Sequence, residues 1–130
     1  MFFSASSVCE TGWTKFGMNC YKKSEDYKDW ETARSTCISL GGDLLSILSQ
    51  EEQDFIASLH TAGGYAYGGG NDRTDEGTFS WIDGSAWTYD YWRSGEPNDY
   101  GGNEDCMSIR VDGEWNDVPC QNSYLYICKK

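Results

Sequence analysis

The chain has 130 residues, and 10 basic against 21 acidic side chains give a formal net charge of −11. That length makes one domain with a core of its own. The acidity argues against nucleic acid and anionic membranes as partners, since both select for basic patches, and no apolar run approaches the length that spans a bilayer.

In chain order, residues 1–7 (Met-Phe-Phe-Ser-Ala-Ser-Ser) lack the basic start and full apolar stretch of a signal peptide. They read as a tail or a signal-peptide remnant, with the domain proper over residues 8–130. Trp13 to Phe16 and Asn19 to Lys23 read as a short hairpin. Asp29 to Leu40 carries Trp30, Ala33, Cys37 and Leu40 at three- and four-residue spacing, a helix with one buried stripe, and Gly41-Gly42 ends it. Leu44, Leu45, Ile47 and Leu48 form an apolar link. Ser49 with Glu52 three residues on is a capping box that starts a second helix reaching about His60. His60 itself reads as a surface or capping residue rather than a base.

Beyond it the pattern turns to short strands and glycine-rich loops. Thr78 to Ile82 runs into Asp83-Gly84, and Cys106 to Val111 runs into Asp112-Gly113, both hairpin signals. Tyr124 to Cys128 alternates as a closing strand. Two helices, two small antiparallel sheets and a long loop make an α+β domain. Six cysteines without a C-x-x-C spacing imply a disulfide framework and an oxidising compartment, with the pairing left open by sequence alone.

The loop from about Ala86 to Gly102 is irregular backbone, the usual place for function. Counting from Glu96, Asn98, Glu104, Asn116 and Asp117 stand at +2, +8, +20 and +21. Carboxylates and amide carbonyls with no His or free thiolate among them describe a site for a hard cation. Calcium fits better than magnesium, which demands a small octahedral shell.

Glu96-Pro97-Asn98 followed at this spacing by Trp115-Asn116-Asp117 resembles the primary calcium and sugar site of C-type lectin-like domains, in its mannose-type version. The resemblance covers about residues 9–128 and implies the C-type lectin-like fold with its long calcium-binding loop. It selects the disulfides Cys9–Cys20, Cys37–Cys128 and Cys106–Cys120. Glu96, Asn98, Glu104, Asn116 and Asp117 become primary calcium ligands that also bind sugar, and the Glu96–Pro97 bond is expected to be cis. Asp72, Glu76, Asp99, Glu104 and Asp105 match an auxiliary calcium site, giving one to two Ca2+ ions or more. Tyr100 is the candidate for a sugar contact, while Trp87, Tyr91 and Trp92 pack beneath the loop.

The implied function is calcium-dependent binding of glycans ending in mannose, glucose, N-acetylglucosamine or fucose. The protein is expected to be secreted and non-catalytic, and to gain avidity as a homo-oligomer. Alternatives are galactose-type specificity on the same calcium site, and a protein- or ice-binding module of this fold. Catalysis is not expected, because the acids sit at a spacing that calcium would claim and no nucleophile motif is present. One stretch departs from the family: Tyr67-Gly68-Gly69-Gly70 stands where members carry Trp-Ile-Gly-Leu or a near variant. Two missing apolar side chains there are expected to cost packing.

Overall fold

The computed structural model describes residues 8–130, so the tail expected at 1–7 lies outside the described residues. The hairpin forms as β1 (Thr14–Phe16) and β2 (Asn19–Lys23). Helix α1 spans Trp30–Ser39, buries Trp30, Ala33 and Cys37 on one stripe, and is capped by Asp29, whose side chain accepts from Thr32 N. Gly41 then takes a positive φ of 92°, the left-handed turn that ends the helix.

After β3 (Asp43–Leu44), helix α2 spans Gln50–Leu59 with Ser49 as its N-cap. Only half of the expected capping box forms. Glu52 N donates to Ser49 Oγ at 3.2 Å, but the Glu52 carboxylate turns inward. It accepts from Leu48 N at 2.8 Å, from the Tyr21 hydroxyl at 2.5 Å and pairs with Lys129 at 2.7 Å. A buried carboxylate needs such partners, and these tie α2 to the hairpin and to the last strand. His60 caps α2 but is not a surface residue: it is fully buried, with Nε2 2.6 Å from the Gly64 carbonyl. The ring itself is turned inward beneath the exposed turn at residues 61–64, and its polar nitrogen meets the backbone of that turn.

The remaining strands are β4 (Ala66–Asn71), β5 (Ser80–Trp81), β6 (Cys106–Ile109), β7 (Trp115–Val118) and β8 (Leu125–Lys129). Their order is β1-β2-β8-β4-β6-β7, with β3 on β8 and β5 on β4. The closing strand joins the two expected sheets: β8 pairs antiparallel with β2 and parallel with β4. The disulfides are Cys9–Cys20, Cys37–Cys128 and Cys106–Cys120, the pairing the resemblance implied. Cys37–Cys128 ties α1 to β8, and Cys106–Cys120 ties the start of β6 to the end of the β7 segment.

The glycine stretch of β4 corrects an expectation. Every residue of this strand is buried, and its neighbours occupy the room that larger side chains would need. A Cβ on Gly68 would stand 2.8 Å from Met107 Sδ, one on Gly69 2.8 Å from the Leu44 carbonyl oxygen, and one on Gly70 3.2 Å from Trp87 Cη2. Trp30 Nε1 also donates to the Gly68 carbonyl at 3.0 Å. Packing has been moved from β4 onto Met107, Ile82 and Trp87 rather than lost.

Gly69→Ala is therefore expected to destabilise the protein by roughly 1–3 kcal/mol, the usual cost of overpacking. Denaturant unfolding should show a lower midpoint at an unchanged slope; an unchanged midpoint would mean that the strand has slack.

Candidate metal centre

The long loop rests on tryptophans. Trp115 of β7 is fully buried and meets Trp81, Trp87 and Trp92 edge-on at centroid distances of 5.5, 5.9 and 5.7 Å. Its indole N–H donates to Gln53 Oε1 of α2 at 2.8 Å, which fixes the ring. The loop backbone joins the same residue: Trp115 N donates to Tyr91 O at 3.0 Å, and Arg93 N donates to Trp115 O at 2.9 Å. Trp87 and Trp92 thus lie beneath the loop as expected. Tyr91 contributes its backbone, its side chain being partly exposed.

Two residues along β7, on the same face of the strand, Asp117 is fully buried at the underside of the Glu96–Glu104 segment. Its Oδ1 accepts from Asn98 N at 3.1 Å and its Oδ2 from Asp99 N at 2.7 Å. The Glu96–Pro97 bond is cis. Carboxylate oxygens of Glu96, Glu104 and Asp117 lie within 4.8 Å of one another. Asn98 stands beside them, donating from Nδ2 to Glu96 Oε2 at 3.2 Å, and the Tyr100 N–H bridges Asn98 Oδ1 and Glu104 Oε1 at 3.1 and 2.9 Å. Asn116, the fifth expected ligand, aims its amide at the Tyr65 hydroxyl 3.5 Å away. The Tyr100 side chain is 78% exposed above this group.

The electrostatics follow from crowding. Burial, a hydrogen bond with Asp117 and the nearby charges push the Glu96 carboxyl up to about 7. Burial also raises Glu104. Glu96 Oε1 is buried with no hydrogen-bond partner. An uncompensated carboxylate oxygen facing two other carboxylates is the situation that a cation relieves.

A second group gathers Asp72, Glu76 and Asp105, again with oxygens within 4.8 Å of one another. Asp72 N donates to Asp105 O at 3.0 Å, and Asp72 Oδ2 accepts from Gly77 N at 2.9 Å, so the loop after β4 closes around its first acid. Asp72 Oδ1 and Asp105 Oδ1 are buried and unpartnered. Hydrogen bonding to Asp72 and then to Asp105 pushes Glu76 up to about 8, and burial raises Asp105. Of the other acids expected here, Glu104 directs its carboxylate to the first group. Asp99 also stays with the first group: it takes a left-handed φ of 46°, and its Oδ1 accepts from Glu104 N at 3.0 Å. Donors that are all oxygen, in two groups with orphaned buried oxygens, fit a hard divalent ion such as calcium.

The residues that hold the groups in place escaped sequence reading. Gln53 under Trp115 and the Trp30–Glu31–Arg73 contact beside Asp72 join segments far apart in the chain, and no local pattern marks them.

The family model described as Lectin C-type domain matches residues 26–130. The CD209 antigen-like protein A of Mus musculus is 41% identical over 125 residues, which are 94% of this chain and 52% of that protein. The low affinity immunoglobulin epsilon Fc receptor of Mus musculus is 40% identical over 129 residues, 98% of this chain and 38% of that protein. The chain therefore spans about half or less of the length of these curated relatives. Among solved structures, the cow C-type carbohydrate-recognition domain of CD23, in the presence of GlcNAc2Man3 oligosaccharide, superimposes with a TM-score of 0.90 at 36% identity, covering 95% of both chains. A calcium-independent type II antifreeze protein gives 0.88, also at 36% identity, covering 95% of this chain and 94% of its own.

Asp117→Asn retains one carbonyl acceptor where the carboxylate offers two, so either Asn98 N or Asp99 N loses its partner. We expect faster amide exchange confined to residues 96–104 and a stability loss of about 1–3 kcal/mol. Exchange that stays at the wild-type rate would show that the loop is held by other contacts.

Proposed function

This chain belongs to the lectin C-type domain family, and from that membership we propose that it is a calcium-dependent lectin for terminal mannose-type sugars. The observation that carries the reading is the convergence of Glu96, Glu104 and Asp117 within 4.8 Å, with the Asn98 amide beside Glu96. The family is one of carbohydrate-binding domains. Here Glu96, Asn98, Glu104, Asn116 and Asp117 would hold the primary ion, and Asp72, Glu76 and Asp105, with Asp99 and Glu104 beside them, an auxiliary one.

Calcium held there would supply coordination positions for two vicinal sugar hydroxyls. The chain's own groups then orient the sugar. Glu96 and Glu104 accept hydrogen bonds from the hydroxyls, while the Asn98 and Asn116 amides donate to them. Holding each acceptor–donor pair in a fixed order favours one arrangement of hydroxyls over its epimer, since a mismatched hydroxyl leaves a buried polar group unpaired. Glu-Pro-Asn favours the vicinal equatorial pair of mannose, glucose and N-acetylglucosamine, or its equivalent on fucose. Tyr100 stands exposed at the rim, where its ring can meet a sugar face.

Carboxyls raised toward neutrality also serve glycoside hydrolysis, but that chemistry places two acids on opposite sides of a bond. Three carboxylates aimed at one point suit an ion, and the proposed role is binding. Disulfide-rich domains of this family are extracellular; three disulfides support a secreted or cell-surface setting here. Among the described residues no helix is long and apolar enough to cross a membrane. One shallow site per domain binds a monosaccharide weakly, so useful avidity calls for several copies.

The likeness to the calcium-independent antifreeze protein favours a second reading, a module of this fold that binds ice or protein and no sugar. Glycan-array binding in calcium and in EDTA separates the two. We expect calcium-dependent signal on mannose-, glucose-, N-acetylglucosamine- or fucose-terminated glycans, and a shift toward galactose in Glu96→Gln/Asn98→Asp. Absence of signal in both buffers would sink the lectin reading.

Proton linkage gives an independent check. Glu96 stands at about 7 and Glu76 at about 8, and both must be deprotonated to hold calcium. Calcium affinity should therefore fall on acidification, and binding near neutrality should release protons. Calorimetry in buffers of different ionisation enthalpy reads that release; an enthalpy independent of buffer would contradict it.

A further inference from the structure

Arg73 follows Asp72 directly and borders the same hollow of about 280 Å³ as Asp105 and Asn103. Asp72, Glu76 and Asp105 offer it clustered negative charge, and a guanidinium pairs with carboxylates readily. The side chain goes elsewhere. Its guanidinium lies over the Trp30 ring, 4.9 Å from the centroid, and forms an ion pair with Glu31 in the first turn of α1. The Arg73 N–H, 3.3 Å from Asn71 Oδ1, fixes the backbone at that turn.

On the other side of the turn, Asp72 is 3% exposed and its Oδ1 has no partner; Asp105 Oδ1 has none either. Trp30 is a fixed platform, fully buried and anchored through Nε1 to Gly68 O in β4, the strand that Asp72 directly follows. Trp30 is thus fixed to the strand that leads into Asp72, and the arginine lies against its ring.

We propose that Trp30 and Glu31 hold the Arg73 guanidinium out of the Asp72–Glu76–Asp105 cluster and so keep that cluster open to a divalent cation. The inference rests on reading the cluster as the auxiliary calcium position. Released from Glu31, Arg73 becomes an internal competitor for the same carboxylates. Glu31 therefore acts on the ion through Arg73, as a positioning residue that touches no ligand itself.

The test is calcium titration of the whole chain by calorimetry and by 1H–15N NMR, with the Asp72 and Gly77 amides reporting the second position and Asn98 and Asp99 the first. Glu31→Ala should weaken the second position about two- to fivefold, the scale of an exposed ion pair, and leave the first unchanged. Arg73→Gln should cause no loss, and adding it to Glu31→Ala should restore wild-type affinity. Glu31→Gln, which keeps the side chain's shape, should repeat the effect if Glu31→Ala folds poorly. Equal weakening by Arg73→Gln and Glu31→Ala would overturn the proposal, because the pair would then merely brace the loop. Unchanged affinity in every variant would overturn it too. If calcium moves the Asn98 and Asp99 amides but never those of Asp72 and Gly77, the auxiliary-site reading itself has failed and the proposal falls with it.

Discussion

Carboxylates whose oxygens lie within 4.8 Å repel one another, and this molecule gathers two such groups on backbone with little regular structure. A flexible loop would let the charges part. They stay together because each group is fastened to strands: Asp117 lies within β7, Asp105 directly precedes β6, and Asp72 follows β4. Burial raises the Glu96 carboxyl and hydrogen bonding to its acidic neighbours raises Glu76, with the nearby charges adding to both, and buried oxygens of Glu96, Asp72 and Asp105 are left without partners.

Beneath those strands, dense packing adds to the hydrogen-bonded pairing that resists the repulsion. Trp115 makes one unit of α2, the loop and β7: its indole is fixed by Gln53, its faces by Trp81, Trp87 and Trp92, its backbone by Tyr91 and Arg93. The Cys106–Cys120 disulfide closes the same hairpin from the other end. A rigid aromatic floor makes a precise site possible on irregular chain, since a side chain can only be as well placed as the backbone beneath it.

The glycines of β4 belong to that floor. Gly70 lets Trp87 approach the strand, and Gly68 lets Met107 fill the space on one side while Trp30 reaches its carbonyl. Trp30 in turn carries the Arg73 guanidinium over its ring. An apparent gap in the sequence is therefore where three side chains from other elements converge next to the second acidic group. The reading of a packing deficit looked only at what the strand had lost, because the compensating residues are distant in the chain.

By itself the sequence determined the element order, the cap at Ser49, the even cysteine set and the spacing from Glu96 to Asp117. These are local or periodic features, and local physics writes them directly. The family resemblance added the disulfide pairing and the cis Glu96–Pro97 bond. Only the tertiary structure decided that Glu52 would leave its capping box for Tyr21 and Lys129, and that His60 would be buried. It likewise decided that Asp99 would staple Glu104 instead of joining Asp72, and that Arg73 would lie on Trp30. Each of those outcomes is a competition for polar partners among segments tens of residues apart, and which partner wins depends on distances that exist only once the chain has folded.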